Sequence, residues 1–173
     1  VDGSSVREKL GLQDKFMVLY AGAMGQAHDL YTALRAARRL NDEAHIQFAF
    51  FGAGKERANL EAEAQRLGLK NVQVAGICPK KEMPAVIASA DVCLAILQNL
   101  QMFRTTYPNK VFDYMASARP TVLVIDGVVR EVIEASNGGA FVEPGNDELL
   151  AKTILELSKD PGRVKQMGEN ARA

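Results

Sequence analysis

Short apolar runs alternate along this chain with stretches of helical periodicity, and that alternation leaves few architectures open. Phe16–Gly22, Ile46–Phe51, Val72–Ala75, Asp91–Leu97, Thr121–Ile125 and Ala140–Val142 read as strands. They are rich in β-branched or aromatic residues, and several close on glycine or a polar turn. Between them, Leu30, Leu34 and Ala37 mark one face of a helix, as do Leu60, Ala64 and Leu67. Met83, Val86, Ile87 and Ala90 mark a third such face, and Leu150, Ile154 and Leu157 a fourth. Pro108–Ala118 and Val128–Ala135 read as two further helices, the first with its proline inside the first turn, where a missing N–H costs nothing. Gly68 is placed to cap one helix, and Pro161 to break another. A polar helix from Gly162 onward needs a surface to lie on. Strands alternating with helices predict a Rossmann-like α/β domain, a doubly wound parallel sheet of about six strands with right-handed crossovers. Ligands in such sheets sit at the carboxyl ends of the strands, near the point where strand order reverses. The loops to search follow Gly22, Gly52, Gly76, Leu97 and Ile125.

The 173 residues fit one domain, long enough to bury about two-thirds of its unfolded surface without disulfides or metal. With 47% hydrophobic and 24% charged residues, the chain is not of the disordered class. Its 21 basic residues balance 21 acidic ones, so there is no net positive field to gather nucleic acid or an anionic membrane. No apolar stretch approaches the roughly 20 residues of a membrane span, and no signal peptide opens the chain. The start at Val1-Asp2-Gly3, without methionine, suggests a piece of a longer protein. Cys78 and Cys93 have no CxxC or Cys/His cluster around them and read as reduced, buried, cytoplasmic thiols.

The longest non-periodic stretch, Gln98 to Tyr107, runs directly into the helix that opens Pro108-Asn109-Lys110. Long loops in compact domains are often functional. A helix start offers unpaired N–H groups and partial positive charge, and Lys110 adds a full charge in the first turn. A cation there opposes the helix dipole by a few tenths to about 1 kcal/mol, so it is either solvated or answered by an anion such as a phosphate. One turn on, Asp113 shares a face with Asn109, where its carboxylate either accepts from a ribose diol or stands exposed.

The second candidate is Gly22-Ala23-Met24-Gly25-Gln26-Ala27-His28-Asp29, where Gly22 and Gly25 allow close backbone approach at a strand-to-helix turn. It matches neither GxGxxG nor a P-loop. His28 either contacts a ligand or caps a helix, and His45 has no role. Gly52-Ala53-Gly54-Lys55 is a turn that could skirt the site. There is no Ser/His/Asp or Cys/His arrangement, no DxD pair and no basic stripe, so catalysis by this domain alone is not expected. A binding role with charge stabilisation of a departing diphosphate fits what is present.

Taken together, Tyr20 to Leu30, Phe51 to Arg57, Tyr107 to Ala116 and Gly138 to Asn146 resemble the donor-binding domain of family-four, GT-B glycosyltransferases. The match runs in order along nearly the whole chain, and "PNKVFDYMASARPTVLV" is its most specific segment. The flavour is that of bacterial enzymes that build lipopolysaccharide O-antigen or capsule from nucleotide-activated amino sugars. The resemblance implies the C-terminal half of a GT-B fold, with residues 1–173 as the donor domain and the N-terminal acceptor domain outside this chain. It implies retaining, metal-independent transfer from a UDP-sugar, with no cofactor, to a lipid-linked or lipopolysaccharide saccharide. Asp113 would hold the ribose, and the backbone of Ile77 would pair with uracil. Thr105 stands where many members carry the first of two glutamates, so its contact with the donor sugar passes to Thr105 and Thr106. The family's Arg and Lys pair is missing between Gly22 and Leu30, which leaves Lys110 and Arg104 as substitutes on the diphosphate. Ala118 stands where glycine is common. The expected location is the cytoplasm, and any association with the inner face of the cytoplasmic membrane would come through the N-terminal half.

Two other readings share the pattern of strands and helices. A UDP-sugar 2-epimerase-like domain requires further catalytic histidines and carboxylates, and a receiver module requires an acidic cluster at the strand ends, which Tyr20-Ala21-Gly22 does not offer. A flavodoxin-type module would declare itself by a yellow colour.

Overall fold

The computed structural model describes residues 1–173. Six parallel strands form one sheet: β1 (Phe16–Ala21), β2 (Ile46–Phe51), β3 (Val72–Gly76), β4 (Val92–Ile96), β5 (Thr121–Val124) and β6 (Gly139–Phe141). Their spatial order is β3-β2-β1-β4-β5-β6, so the strand order reverses between β1 and β4. The expected doubly wound architecture is present, and the strands agree with the sequence reading to within a residue or so.

Alternation along each strand divides the core. Val18, Tyr20, Phe48 and Phe50 point to one face, where they meet α2 (Leu30–Arg39), α3 (Arg57–Arg66) and α7 (Asp147–Ser158). Met17, Leu19, Cys93 and Leu123 point to the other, against α4 (Met83–Ala88), α5 (Asn109–Ala116) and α6 (Val128–Ser136). The apolar stripes of the sequence are the buried faces of these helices: Leu30, Leu34 and Ala37 on α2, and Leu150, Ile154 and Leu157 on α7. Gly68, at φ +64, turns the chain just beyond α3. Cys93 is fully buried, but Cys78 is only partly so, because it sits in the loop after β3 rather than in the sheet.

Three features depart from the sequence reading. A helix at Ser4–Leu10, α1, fully buries none of its residues and rests on the core only through Val6 and Leu10, a pair too short to read as a stripe. Pro108 stands one residue before α5, with extended backbone, rather than inside its first turn. Pro161 does not merely end α7; it opens the last helix, α8 (Pro161–Arg172), which buries Met167, Gly168 and Ala171, packing on the loop before β5 and the approach to β6. Ala118 occupies the left-handed region at φ +55, which explains why glycine suits that position: any side chain there costs roughly 1 kcal/mol.

A nucleotide-sized site at the strand reversal

The carboxyl ends of β1 and β4 diverge where the strand order reverses. β1 pairs with β2 over all six of its residues, but with β4 only at Val18 and Leu19. The Tyr114 hydroxyl, from α5, fills the gap. It accepts from the Ala21 N–H at 3.3 Å and lies within reach of the Leu94 and Ala21 carbonyls at 3.3 and 3.4 Å. The tyrosine thereby ties α5 to both strands, and it sets the start of that helix beside the loop that follows β1.

In this geometry Lys110 does not extend into solvent. Its side chain folds back beneath Gly22, donates to the Tyr20 hydroxyl at 2.9 Å and lies 4.2 Å from the Tyr20 ring centroid. A Cβ on Gly22 would stand 2.5 Å from the Lys110 Nζ, so the glycine leaves the room that the ammonium occupies. Tyr20, 1% exposed, donates its own O–H to the Ala23 carbonyl at 2.6 Å. Burial pushes its phenol pKa up, so it stays neutral and cannot neutralise the lysine. No carboxylate lies within ion-pairing distance of Lys110, and burial lowers its pKa from 10.5 to about 8. At neutral pH the site therefore holds a desolvated cation with one neutral hydrogen-bond partner.

The start of α5 adds to this deficit. No side chain caps the helix, and the Asn109 and Lys110 N–H groups meet no acceptor in the protein. By contrast, α7 and α8 are capped by Asn146 and Asp160 through 2.9 and 3.1 Å bonds. Two exposed N–H donors, a helix dipole and a buried ammonium thus converge at the carboxyl edge of the sheet, an arrangement suited to an anion.

Beside the ammonium lies a cavity of about 250 Å³. Its apolar wall includes Ile96, Leu97, Phe103 and Ile125, and its polar groups come from His28, Thr106 and Lys110. His28 packs edge-on to Tyr20 at 6.3 Å between ring centroids. Burial first, then the Lys110 charge, hold its pKa below the ordinary value, so its imidazole is neutral at pH 7. Its Nδ1 is buried without a partner, facing Gly25. His28 caps no helix.

The structure brings Gly22, Gly25, His28, Thr106 and Lys110 together around Tyr20 and the cavity. Asn109 and Asp113 share the exposed side of α5. Thr105 is exposed and lies outside the cavity lining, and Ile77, 75% exposed, stands at the end of β3 across the sheet from α5. The Arg104 guanidinium, half-exposed, lies 3.6 Å from the Asp126 carboxylate in the β5–α6 turn, and its side chain is not part of the cavity lining. Its backbone packs so tightly there that a Cβ on Gly127 would come within 2.2 Å of the Arg104 carbonyl. Tyr20 was read only as strand core. A tyrosine at the buried end of a parallel strand must find a partner for its hydroxyl, and that requirement was the available clue.

Residues 4–173 match the family described as Glycosyl transferases group 1, and the chain belongs to that family, of the family-four, GT-B type. It is 31% identical over 159 residues to WcaI of Escherichia coli (strain K12), named as a colanic acid biosynthesis glycosyl transferase, covering 90% of this chain and 39% of that protein. It is 27% identical over 173 residues to the alpha-D-kanosaminyltransferase of Streptomyces kanamyceticus, covering 97% of this chain and 43% of the other. The crystal structure of Anabaena HepE in complex with UDP superposes with a TM-score of 0.86 at 20% identity, over 99% of this chain and 46% of that one. The chain thus spans less than half the length of these relatives. No helix is long and apolar enough to cross a membrane.

Proposed function

We propose that this chain is the donor-binding half of a glycosyltransferase that takes a UDP-linked sugar, with the diphosphate seated between Gly22, Lys110 and the open start of α5. The observation that carries the reading is the buried Lys110 ammonium, which has one neutral partner and no counter-ion at the edge of the sheet where ligands bind. A departing diphosphate supplies the missing charge, and the lysine and helix N–H groups stabilise it without a metal or other cofactor. Asp113 and Asn109, on the outer side of α5, face the ribose, and the backbone at Ile77 takes the base.

The finer assignments follow the family. Transfer proceeds with retention, the donor is an amino sugar, and the acceptor is a lipid-linked or lipopolysaccharide saccharide held by an N-terminal domain. The named activity of the kanosaminyltransferase supports the amino sugar, the role named for WcaI supports a polysaccharide product, and the UDP bound to HepE supports the nucleotide. The proposed place of action is the cytoplasm, at the inner face of the membrane.

Calorimetric titration of UDP and uridine tests the central claim. Lys110→Ala removes only phosphate contacts, so UDP affinity should fall by roughly ten- to hundredfold, the worth of hydrogen bonds to a charged group, while uridine affinity holds. Equal losses for UDP and uridine would remove the lysine from the diphosphate.

A further inference from the structure

The cavity beside Lys110 is more apolar than a pocket for an unmodified hexose should be. At about 250 Å³ it is large enough to admit a sugar ring. Yet Ile96, Leu97 and Ile125 from the strand ends and Phe103 from the loop make up its wall. A glucose-type ring directs a hydroxyl from nearly every carbon, and each would lose water against that wall without gaining a partner. The polar groups available are few and clustered: the neutral His28 imidazole, the Thr106 hydroxyl and Lys110 itself. The position where the family carries a carboxylate is Thr105, which is exposed and outside the lining, so no acidic acceptor reaches the cavity to collect ring hydroxyls.

We infer that this wall is a specificity element that reads an N-acyl group on the donor sugar, its methyl packed on Phe103 and the edge of Leu97 and its amide served by His28 and Thr106. The inference rests on the UDP-sugar reading above, since the cavity shares Lys110 with the diphosphate site and takes whatever follows the phosphates. An acetamido group suits the surface in both halves. Its methyl has no polar demand, and its N–H and C=O match one acceptor and one donor, which a neutral imidazole and a hydroxyl provide.

The test is a calorimetric series on the chain with UDP, UDP-glucose and UDP-N-acetylglucosamine. UDP-N-acetylglucosamine should bind roughly tenfold or more tightly than UDP-glucose, the discrimination expected of a small apolar group in a matched pocket. In Phe103→Ala that preference should shrink to within about threefold while UDP affinity stays at the wild-type value. Should that variant fold poorly, Thr106→Val keeps the wall and removes one amide partner, and it should cut binding of the acetylated donor only. UDP-glucose bound as tightly as UDP-N-acetylglucosamine, with UDP itself bound, would overturn the inference and leave the diphosphate assignment standing. No binding of UDP would overturn both.

Discussion

Two cations sit inside this domain at opposite edges of the same sheet, and their surroundings could hardly differ more. Arg7, from α1, donates to the Ser89 and Lys15 carbonyls at 2.7 Å each, to the Leu12 carbonyl at 3.1 Å and to the Asp91 carboxylate at 2.7 Å. The same carboxylate accepts from the Met17 N–H at 2.7 Å, so the group that opens β4 is locked to the one that opens β1. Lys110, at the carboxyl edge, has a single phenol for company. A cation whose donors are all answered by the protein fastens elements together. A cation left short of partners, where the fold leaves a crevice, is provided for something that arrives later.

Removing the satisfied cation should cost the most. Arg7→Ala leaves Asp91 and two buried carbonyls short of donors, and urea denaturation should record a loss of about 2–3 kcal/mol, reduced from the fully buried case by the partial exposure of both groups. UDP affinity of the folded fraction should not change. If Arg7→Ala proved as stable as the wild type, the contrast between the two cations would collapse.

Acidity sharpens the comparison next. Burial holds the Lys110 pKa near 8, below its ordinary 10.5. Below pH 8 the folded and unfolded chains both carry this proton, and the cost of burying it is present in full. Between about 8 and 10.5 the unfolded chain binds more protons, so stability should rise with pH across that window. A bound diphosphate restores the charge, so binding at about pH 9 should draw in most of one proton, and UDP affinity should weaken as pH climbs through 8. Calorimetry in two buffers of different ionisation heat measures that uptake. The wild type should show it and Lys110→Met should not. Absence of uptake in the wild type would mean that the lysine is already as well served as Arg7.

The smallest effect belongs to the exposed side of α5. Asp113→Ala should weaken UDP and uridine alike, by about fivefold, since a solvent-exposed carboxylate to a diol is worth about 1 kcal/mol. A loss confined to UDP would move Asp113 from the ribose to the diphosphate.

What could be read from the sequence divides along the same line as the cations. Period-two and period-3.6 patterns disclose which faces are buried, so β2 was placed at its observed ends, Ile46 and Phe51, and the stripes of α2 and α7 were found residue by residue. A lysine in the first turn of a helix is a local anomaly, and it singled out the start of α5 as a candidate site without any knowledge of the fold. Contacts between distant residues leave no such trace. Arg7 meets Asp91 across 84 positions, and α1 offers only Val6 and Leu10 to the core, so neither the helix nor its anchor was visible. The Arg104–Asp126 pair is a contact of the same kind: the charge was legible, but its partner beyond the next strand was not. The long loop was singled out by its length, yet only the folded chain shows that Thr106 reaches the cavity and Thr105 does not.

The Tyr114 hydroxyl has a consequence for the thermodynamics of ligand capture. Where the β1–β4 ladder stops after Leu19 and Cys93, one phenol stands in for the missing rungs, answering Ala21 on one strand and Leu94 on the other. The crevice is thus held ajar by a side chain that is itself completely buried. A nucleotide that enters need not prise two strands apart or leave an amide bare. The entropy of shaping that mouth is spent when the chain folds, and association is spared it.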